Sequence, residues 1–111
     1  LPRLPEAVAF QSVVSGIDPQ ESVLTTSNYA VHLAGREAIA QIEKDGYEQN
    51  WPFEVIVLPS EKALINVRGR LREVGQTKIG QKMSEVIEMA KEAGMNCDQP
   101  NSYIRLCRAK Q

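Results

Sequence analysis

The 111 residues of this chain are enough for one domain with a single hydrophobic core. Hydrophobic residues make up 42% of the chain and charged residues 24%, as in ordinary globular proteins, and no run of about 18 apolar residues is present, so we expect no transmembrane helix and no membrane partner. The formal net charge of −1 hides an acidic first part, with 4 Lys/Arg and 9 Asp/Glu in residues 1–67, and a basic last part, with 9 and 5 in residues 68–111.

Residues 1–28 are predicted to form an N-terminal arm or an added layer. Two prolines disfavour regular structure at the start, and residues 6–14 are apolar enough for either a strand or a short helix. The Asp-Pro-Gln-Glu run at residues 18–21 predicts the start of another short helix, because Asp18 can cap it and Glu21 can complete a capping box.

The next two predicted elements are a strand and a helix. Over residues 29–34 the larger apolar side chains of Tyr29, Val31 and Leu33 alternate with Ala30, His32 and Ala34, which predicts a strand. Residues 36–45 predict a helix, because Ala38, Ile39 and Ile42 would lie on one face while the charged residues face water.

The clearer signals lie after residue 52. Two runs of β-forming residues joined by four turn residues predict a hairpin. A helix follows, with Thr77 as its cap and apolar residues at spacings of three and four, and then a polar loop and a last strand. The residue ranges are 53–58 and 63–70 for the hairpin, 77–94 for the helix, 95–101 for the loop and 102–109 for the strand.

From residue 29 the predicted order of elements is therefore β-α-β-β-α-β. This order predicts an α+β fold of the ferredoxin-like type, a βαββαβ sandwich in which an antiparallel sheet carries two helices on one face. The opposite face of the sheet is left open unless residues 1–28 or a partner cover it. We expect a single α+β domain at residues 29–111, preceded by the N-terminal extension.

The basic part of the chain predicts a surface that binds phosphate-rich ligands. Guanidinium groups bind phosphate oxygens bidentately and stack on bases, and the N-terminus of the last helix adds unpaired amide donors. Alternation along residues 63–72 should turn the apolar side chains towards the helices and the arginines towards the open face. The predicted nucleic-acid-binding residues are Asn66, Arg68, Arg70, Arg72, Lys78, Lys82, Arg105 and Arg108.

These features support the hypothesis of a small, non-enzymatic nucleic-acid-binding domain, with RNA or DNA as the partner. Single-stranded RNA readers of the ferredoxin-like type usually present stacking aromatic residues on their central strands. Here residues 63–70 have none, and Tyr29 lies only at the start of the other central strand. Phosphate and shape contacts should therefore dominate, with a weak preference for sequence.

The alternative hypothesis is a protein-interaction or regulatory domain, including a homodimer. Such a domain would use the open sheet face, an edge strand or the acidic half of the chain. Arginines on a strand also occur as solvated positions that discourage aggregation. Ferredoxin-like domains host many unrelated functions, so the predicted topology does not choose between the two hypotheses.

Catalytic interpretations have little support in the sequence. No nucleophile elbow, P-loop or dinucleotide-binding motif is present. His32 and Cys107 could share a sheet face, but a lone histidine in a strand is usually structural. The carboxylates of Glu43, Asp45 and Glu48 fall at a predicted helix end, where such groups are usually solvated. We expect no enzymatic activity, no cofactor and no metal site.

Cys97 and Cys107 are too few for a disulfide-rich scaffold, and one histidine cannot complete a zinc cage with them. A loop and a returning strand could bring the two thiols together, so a disulfide stays open, but we expect a reduced pair. The first ten residues lack the basic region and apolar stretch of a signal peptide. We therefore expect a cytoplasmic protein.

Overall fold

The computed structural model describes residues 4–33 and 38–109. Short 3-10 turns at Val31–Leu33, Tyr47–Asn50 and Val74–Gln76 connect some of its elements. The helices and strands in chain order are α1 (Leu4–Val14), β1 (Val23–Thr25), α2 (Ser27–Ala30), β2 (Ile39–Gln41), β3 (Val55–Pro59), β4 (Leu64–Val67), β5 (Arg70–Glu73), α3 (Lys78–Glu92), β6 (Asn96–Asp98) and β7 (Ile104–Arg108).

Five of the strands form a mixed sheet in the order β2-β1-β3-β7-β6, and β4 and β5 form a separate two-stranded sheet. β1 runs parallel to both β2 and β3, whereas β7 is antiparallel to β3 and β6. This arrangement confirms the predicted α+β class. The strand order does not confirm the ferredoxin-like topology, because a ferredoxin-like sheet is antiparallel throughout, whereas β1 here runs parallel to both β2 and β3.

The two long helices lie on opposite faces of the sheet. Val55 and Val57 of β3 pack with Phe10 of α1, whereas Ile56 and Leu58 pack with residues of α3. Side chains of a strand point alternately to the two faces, so a central strand covered on both sides is apolar throughout, and all five residues of β3 are buried. The predicted placement of two helices on one face is wrong, because α3 lies on one face and α1 on the other. The second face is covered by α1, which belongs to residues 1–28, as the prediction allowed.

The element predicted as the first strand is helical instead. Residues Ser27–Ala30 form α2 and Val31–Leu33 a 3-10 turn. Tyr29 and Leu33, four residues apart, are both buried, whereas Val31 is exposed. A spacing of four places two side chains on one helical face, and here that spacing prevails over the alternation that predicted a strand.

The predicted helix at residues 36–45 is also wrong where the structure describes it. Residues 34–37 lie outside the described residues, and Ile39–Gln41 form β2, which pairs in parallel with β1. The helix start predicted at residues 18–21 is a turn with the hydrogen bonds of a capping box, since the Gln20 amide donates to Asp18 Oδ1 (2.8 Å) and the Asp18 amide to Glu21 Oε1 (2.9 Å). No helix follows this turn, and β1 begins at Val23 instead.

The last part of the chain follows its prediction more closely. The Gly80 amide donates to Thr77 Oγ1 (3.0 Å), so Thr77 caps α3 as expected. The final strand is present as β7. The predicted polar loop contains β6, whose three residues pair with the end of β7. The hairpin predicted from residues 53–58 and 63–70 is wrong, because these two runs do not pair with each other. β3 pairs with β7 in the large sheet, and β4 pairs with β5.

Cys97 of β6 lies directly opposite Cys107 of β7, and the two form a disulfide. The expectation of a reduced pair is therefore wrong. The bond links the edge strand β6 to β7, and Cys107 is fully buried. Disulfides persist mainly in oxidising compartments, so the cytoplasmic location stays a prediction that this bond does not favour.

Reduction of this disulfide is expected to lower the free energy of unfolding by about 2.5 to 3 kcal/mol, which is the chain-entropy value for a loop of this length. The two cysteines are separated by 10 residues along the chain. Urea unfolding of the protein with and without a reductant would measure the effect. Two titratable thiols in the unfolded protein without reductant, or equal midpoints under both conditions, would contradict the prediction.

Candidate nucleic-acid interface

The hairpin of β4 and β5 carries three closely spaced arginines, Arg68, Arg70 and Arg72. Val67 pairs with Arg70, so only two residues, Arg68 and Gly69, form the turn. Both have positive φ, +53° and +84°. Positive φ at both positions of a two-residue turn is the type I′ pattern, which matches the twist of antiparallel strands.

This turn changes which side chains share a face. Residues directly opposite each other in an antiparallel pair lie on the same face. Arg70 and Arg72 therefore lie on the face of Val67 and Ile65, whereas Asn66 lies opposite Leu71 on the other face. The predicted common face for Asn66 and the three arginines is wrong, because the turn interrupts what was taken as one continuous strand.

The three hairpin arginines are nevertheless close along one exposed ribbon. Arg68, Arg70 and Arg72 are all exposed. No ion pair of theirs is found within residues 4–33 and 38–109. Asn66 has a structural role at the turn, since its Oδ1 accepts a hydrogen bond from the Gly69 amide (2.8 Å). The hairpin thus presents three guanidinium groups that no described carboxylate neutralises.

Arg68 occupies a backbone conformation that does not suit an arginine. Residues other than glycine, asparagine and aspartate rarely adopt positive φ, at a cost of about 1 to 2 kcal/mol. Asn-Gly is the favoured pair for a turn of this kind. An arginine in this conformation motivates the hypothesis that its side chain has a role outside the fold.

Replacing Arg68 by asparagine is expected to stabilise the protein by about 0.5 to 1 kcal/mol, because asparagine tolerates the left-handed conformation at a type I′ turn. Urea unfolding would measure the change in the free energy of unfolding. Arg70→Asn is the matched control, because it removes the same charge from a β-strand and should not stabilise the protein. A loss of stability in Arg68→Asn would contradict the strain at Arg68.

Arg105 and Arg108 lie outside this hairpin, on β7, and are engaged within the protein. Arg105 donates from Nε to the Pro59 carbonyl (3.0 Å), and its Nη1 lies 3.8 Å from Glu61 Oε1. Burial lowers the pKa of Arg105, and Glu61 partly offsets that effect. Arg108 Nη2 lies 3.3 Å from Glu21 Oε1. Their charges are thus directed at the protein's own carboxylates.

The two predicted lysines lie on the first turns of α3. Lys78 is exposed at the start of the helix, six residues after Arg72 in the chain. Lys82 is half-buried, and its Nζ lies 5.3 Å from the centre of the Tyr47 ring. A cation at that distance is attracted by the face of the ring. Lys78 can therefore extend the hairpin surface, whereas Lys82 has a partner already.

A second feature lies at the carboxyl ends of β1, β2 and β3. A cavity of about 670 Å³ opens there, and Thr26, Tyr29, His32 and Glu43 are among its lining residues. Sequence reasoning missed this site because its lining comes from segments far apart in the chain. His32 lies edge-on to Phe10, 6.0 Å between ring centres, while Cys107 is held in the disulfide, so the two do not form a thiol–imidazole pair.

Comparisons with known proteins leave the function to be argued from these two sites. No protein-family model, no curated protein and no solved structure matches the chain. No group of three or more His, Cys, Asp or Glu in the described ranges could hold a metal ion. Among the helices described, none has the length and apolar character needed to cross a membrane.

Proposed function

We propose that this protein is a small, non-enzymatic nucleic-acid-binding domain whose β4–β5 hairpin contacts the phosphate backbone. Arg68, Arg70 and Arg72 are the contact residues, and Lys78 extends the surface. The observation that carries the proposal is Arg68, which is exposed at the turn and has no ion pair among the described residues. Its φ is positive, a conformation that asparagine adopts more readily than arginine at such a turn.

The geometry of the hairpin suits a nucleic-acid groove. Two-stranded β-ribbons enter DNA grooves in several families of DNA-binding proteins. Arginine is the side chain best adapted to phosphate, since its planar fork donates two parallel hydrogen bonds. Arg105 and Arg108, which were predicted as contacts, are left out of the proposed interface because they are paired with Glu61 and Glu21.

Binding should depend strongly on salt and weakly on sequence. The described hairpin residues include no aromatic side chain on which a base could stack. Contacts to phosphate position a protein but carry no sequence information directly. Neutralised phosphates release counterions, so the affinity should fall linearly with salt on a log–log plot.

A fluorescence-anisotropy titration tests the proposal. Labelled RNA and DNA of several unrelated sequences, both single-stranded and double-stranded, would be titrated with the protein at several salt concentrations. We expect micromolar or tighter binding at low salt, similar for the different sequences, with a slope that counts the phosphates contacted. No binding at low salt would overturn the proposal.

One observation favours a protein partner as the second candidate function. Leu64 and Leu71 are 45% and 61% exposed, and both lie on the Asn66 face of the hairpin. Exposed leucines on one face can anchor a protein contact, including a homodimer. Sedimentation analysis of the protein and of Leu71→Ser would test this, and concentration-dependent association lost in the variant would support it.

A further inference from the structure

The cavity at the carboxyl ends of the parallel strands occupies a distinctive place in the topology. β2 and β3 are the two neighbours of β1 in the sheet. The chain runs from β1 to the neighbour on one side, β2, and then to the neighbour on the other side, β3, and both are parallel to β1. Such a reversal of strand order opens a crevice outside the carboxyl ends of the strands, and ligands of open sheets bind in that crevice. This position is therefore one at which a binding site is expected.

The cavity has the size and mixed lining of a small-molecule site. Its volume of about 670 Å³ lies within the usual range for such sites. Its apolar part comes from α1, the hairpin and α3, through Phe10, Ile65, Ile79 and Met83. These residues provide a surface for an apolar ligand body, while the polar groups come from the segments after β1 and β2 and from the first turn of α1.

The charged groups among the described lining residues are negative. Glu6 and Glu43 both line the cavity, and no lysine or arginine is among the described residues that line it. Glu6 Oε2 accepts from the Tyr29 hydroxyl (3.2 Å). Glu43 accepts from the Ser27 amide (3.0 and 2.9 Å) and from the Ser27 hydroxyl (2.8 Å), which fixes the carboxylate at the start of α2.

Thr26 supplies an independent sign of a ligand. It precedes α2, where a threonine hydroxyl would normally accept a hydrogen bond from the helix, but it makes no such capping bond. The Ser27 amide at the start of α2 donates instead to the Glu43 carboxylate. Thr26 is only 5% exposed and lines the cavity, and no hydrogen bond of its hydroxyl occurs among the described residues. Because no buried side-chain oxygen of the described residues lacks a partner, this hydroxyl is accessible, and a ligand in the cavity that Thr26 lines can form a hydrogen bond with it.

We propose that this cavity binds a small organic cation, an amine or guanidine carried on an apolar body. The amine donates to the carboxylates of Glu43 and Glu6 and to the Thr26 hydroxyl, and the body packs on Phe10 and Ile65. Charge-assisted hydrogen bonds from an amine to a carboxylate are the strong ones in such a site. The same carboxylates repel phosphate groups, so the ligand of this cavity differs in charge from that of the proposed nucleic-acid surface, although Ile65 and Asn66 of the hairpin also line the cavity.

Three indole compounds of nearly equal shape test the sign of the charge. They are tryptamine, a cation, tryptophol, which is neutral, and indole-3-acetate, an anion. Titration of the protein with each, followed by amide NMR shifts of Thr26, Ile65 and Ile79, gives a dissociation constant for each. We expect saturable binding of tryptamine, at least about tenfold tighter than that of tryptophol, and no binding of indole-3-acetate.

Variants then assign the binding to the proposed groups. Glu43→Gln keeps an acceptor for Ser27 but removes the charge, and it should weaken tryptamine binding about tenfold. Glu92→Gln removes a charge from the exposed end of α3 and should leave binding unchanged. Urea unfolding of each variant shows whether the fold is retained, and Glu6→Gln replaces Glu43→Gln if the latter does not fold.

Three results would overturn the proposal. They are the absence of saturable shifts at about 5 mM tryptamine, binding of indole-3-acetate as tight as that of tryptamine, and unchanged tryptamine binding in a folded Glu43→Gln or Glu6→Gln variant. Nucleic-acid binding is measured separately and depends on the hairpin arginines, so either proposal can fail without the other.

Discussion

Replacing Gly80 by alanine is expected to destabilise the protein by about 3 kcal/mol, the upper end of the usual cost of overpacking. Gly80 lies in the first turn of α3 and is buried against the turn that precedes the helix. A Cβ at this position would overlap the carbonyl oxygen of Val74, which is backbone and cannot rotate away. Alanine would force α3 away from Val74 and disturb the cap at Thr77.

Helix propensity alone predicts the opposite sign. Alanine is favoured over glycine inside a helix by about 1 kcal/mol. Urea unfolding of Gly80→Ala therefore separates the two effects, and Gln81→Ala is the matched control, since Gln81 is the next residue of α3 and is exposed. The control should change stability little. A neutral or stabilised Gly80→Ala variant would contradict the close approach of α3 to Val74.

The second large effect concerns the hairpin. The double variant Arg70→Gln/Arg72→Gln is expected to weaken nucleic-acid binding about tenfold to a hundredfold at low salt, because two phosphate contacts are lost. The log–log salt slope should fall by about 2 for duplex DNA and somewhat less for single strands. Both side chains are exposed, so the free energy of unfolding should change little.

A second double variant, which removes the same amount of positive charge elsewhere, shows whether the position of the charges on the hairpin determines nucleic-acid binding. Lys44→Gln/Lys91→Gln removes two positive charges from exposed positions outside the hairpin. If the hairpin provides the contacts, this variant keeps the affinity and the salt slope of the unchanged protein to within about twofold. Equal losses in the two double variants would mean that net charge, and not the hairpin, governs binding.

The elements that sequence reasoning predicted are those with a strong local signal. β3 is a continuous apolar run between turn residues, and α3 combines regular apolar spacing with a cap at Thr77. β1, β2 and β6 have three residues each. Strands this short are stabilised by partners distant in the chain, and no periodicity can be read from three residues.

The parallel arrangement of β1, β2 and β3 was missed for the same reason. Parallel pairing joins segments that are not adjacent in the chain, and β1 lies in the part expected to be an arm. β1 lies in the sheet, and α1 covers the face that was predicted to be open unless residues 1–28 or a partner cover it. The disulfide between Cys97 and Cys107 depends on β6, which was predicted as loop.

The candidate site could be predicted only in part. The density of arginine after residue 67 is visible in the sequence, and three of those arginines are exposed near one another. The face of the hairpin on which each arginine lies could not be predicted, because it depends on whether Arg68 belongs to a strand or to a turn. The carboxylate partners of Arg105 and Arg108 are 44 and 87 residues away in the chain, so these ion pairs could not be predicted without the fold.

The central claim is that the hairpin arginines contact nucleic acid, and amide NMR spectra recorded during titration with a short DNA duplex test it most directly. The largest shifts should fall on residues 66–72 and at Lys78, with little change at Thr26 and on the exposed face of α3 around Lys91. Shifts concentrated elsewhere, or no shifts at low salt, would contradict the claim.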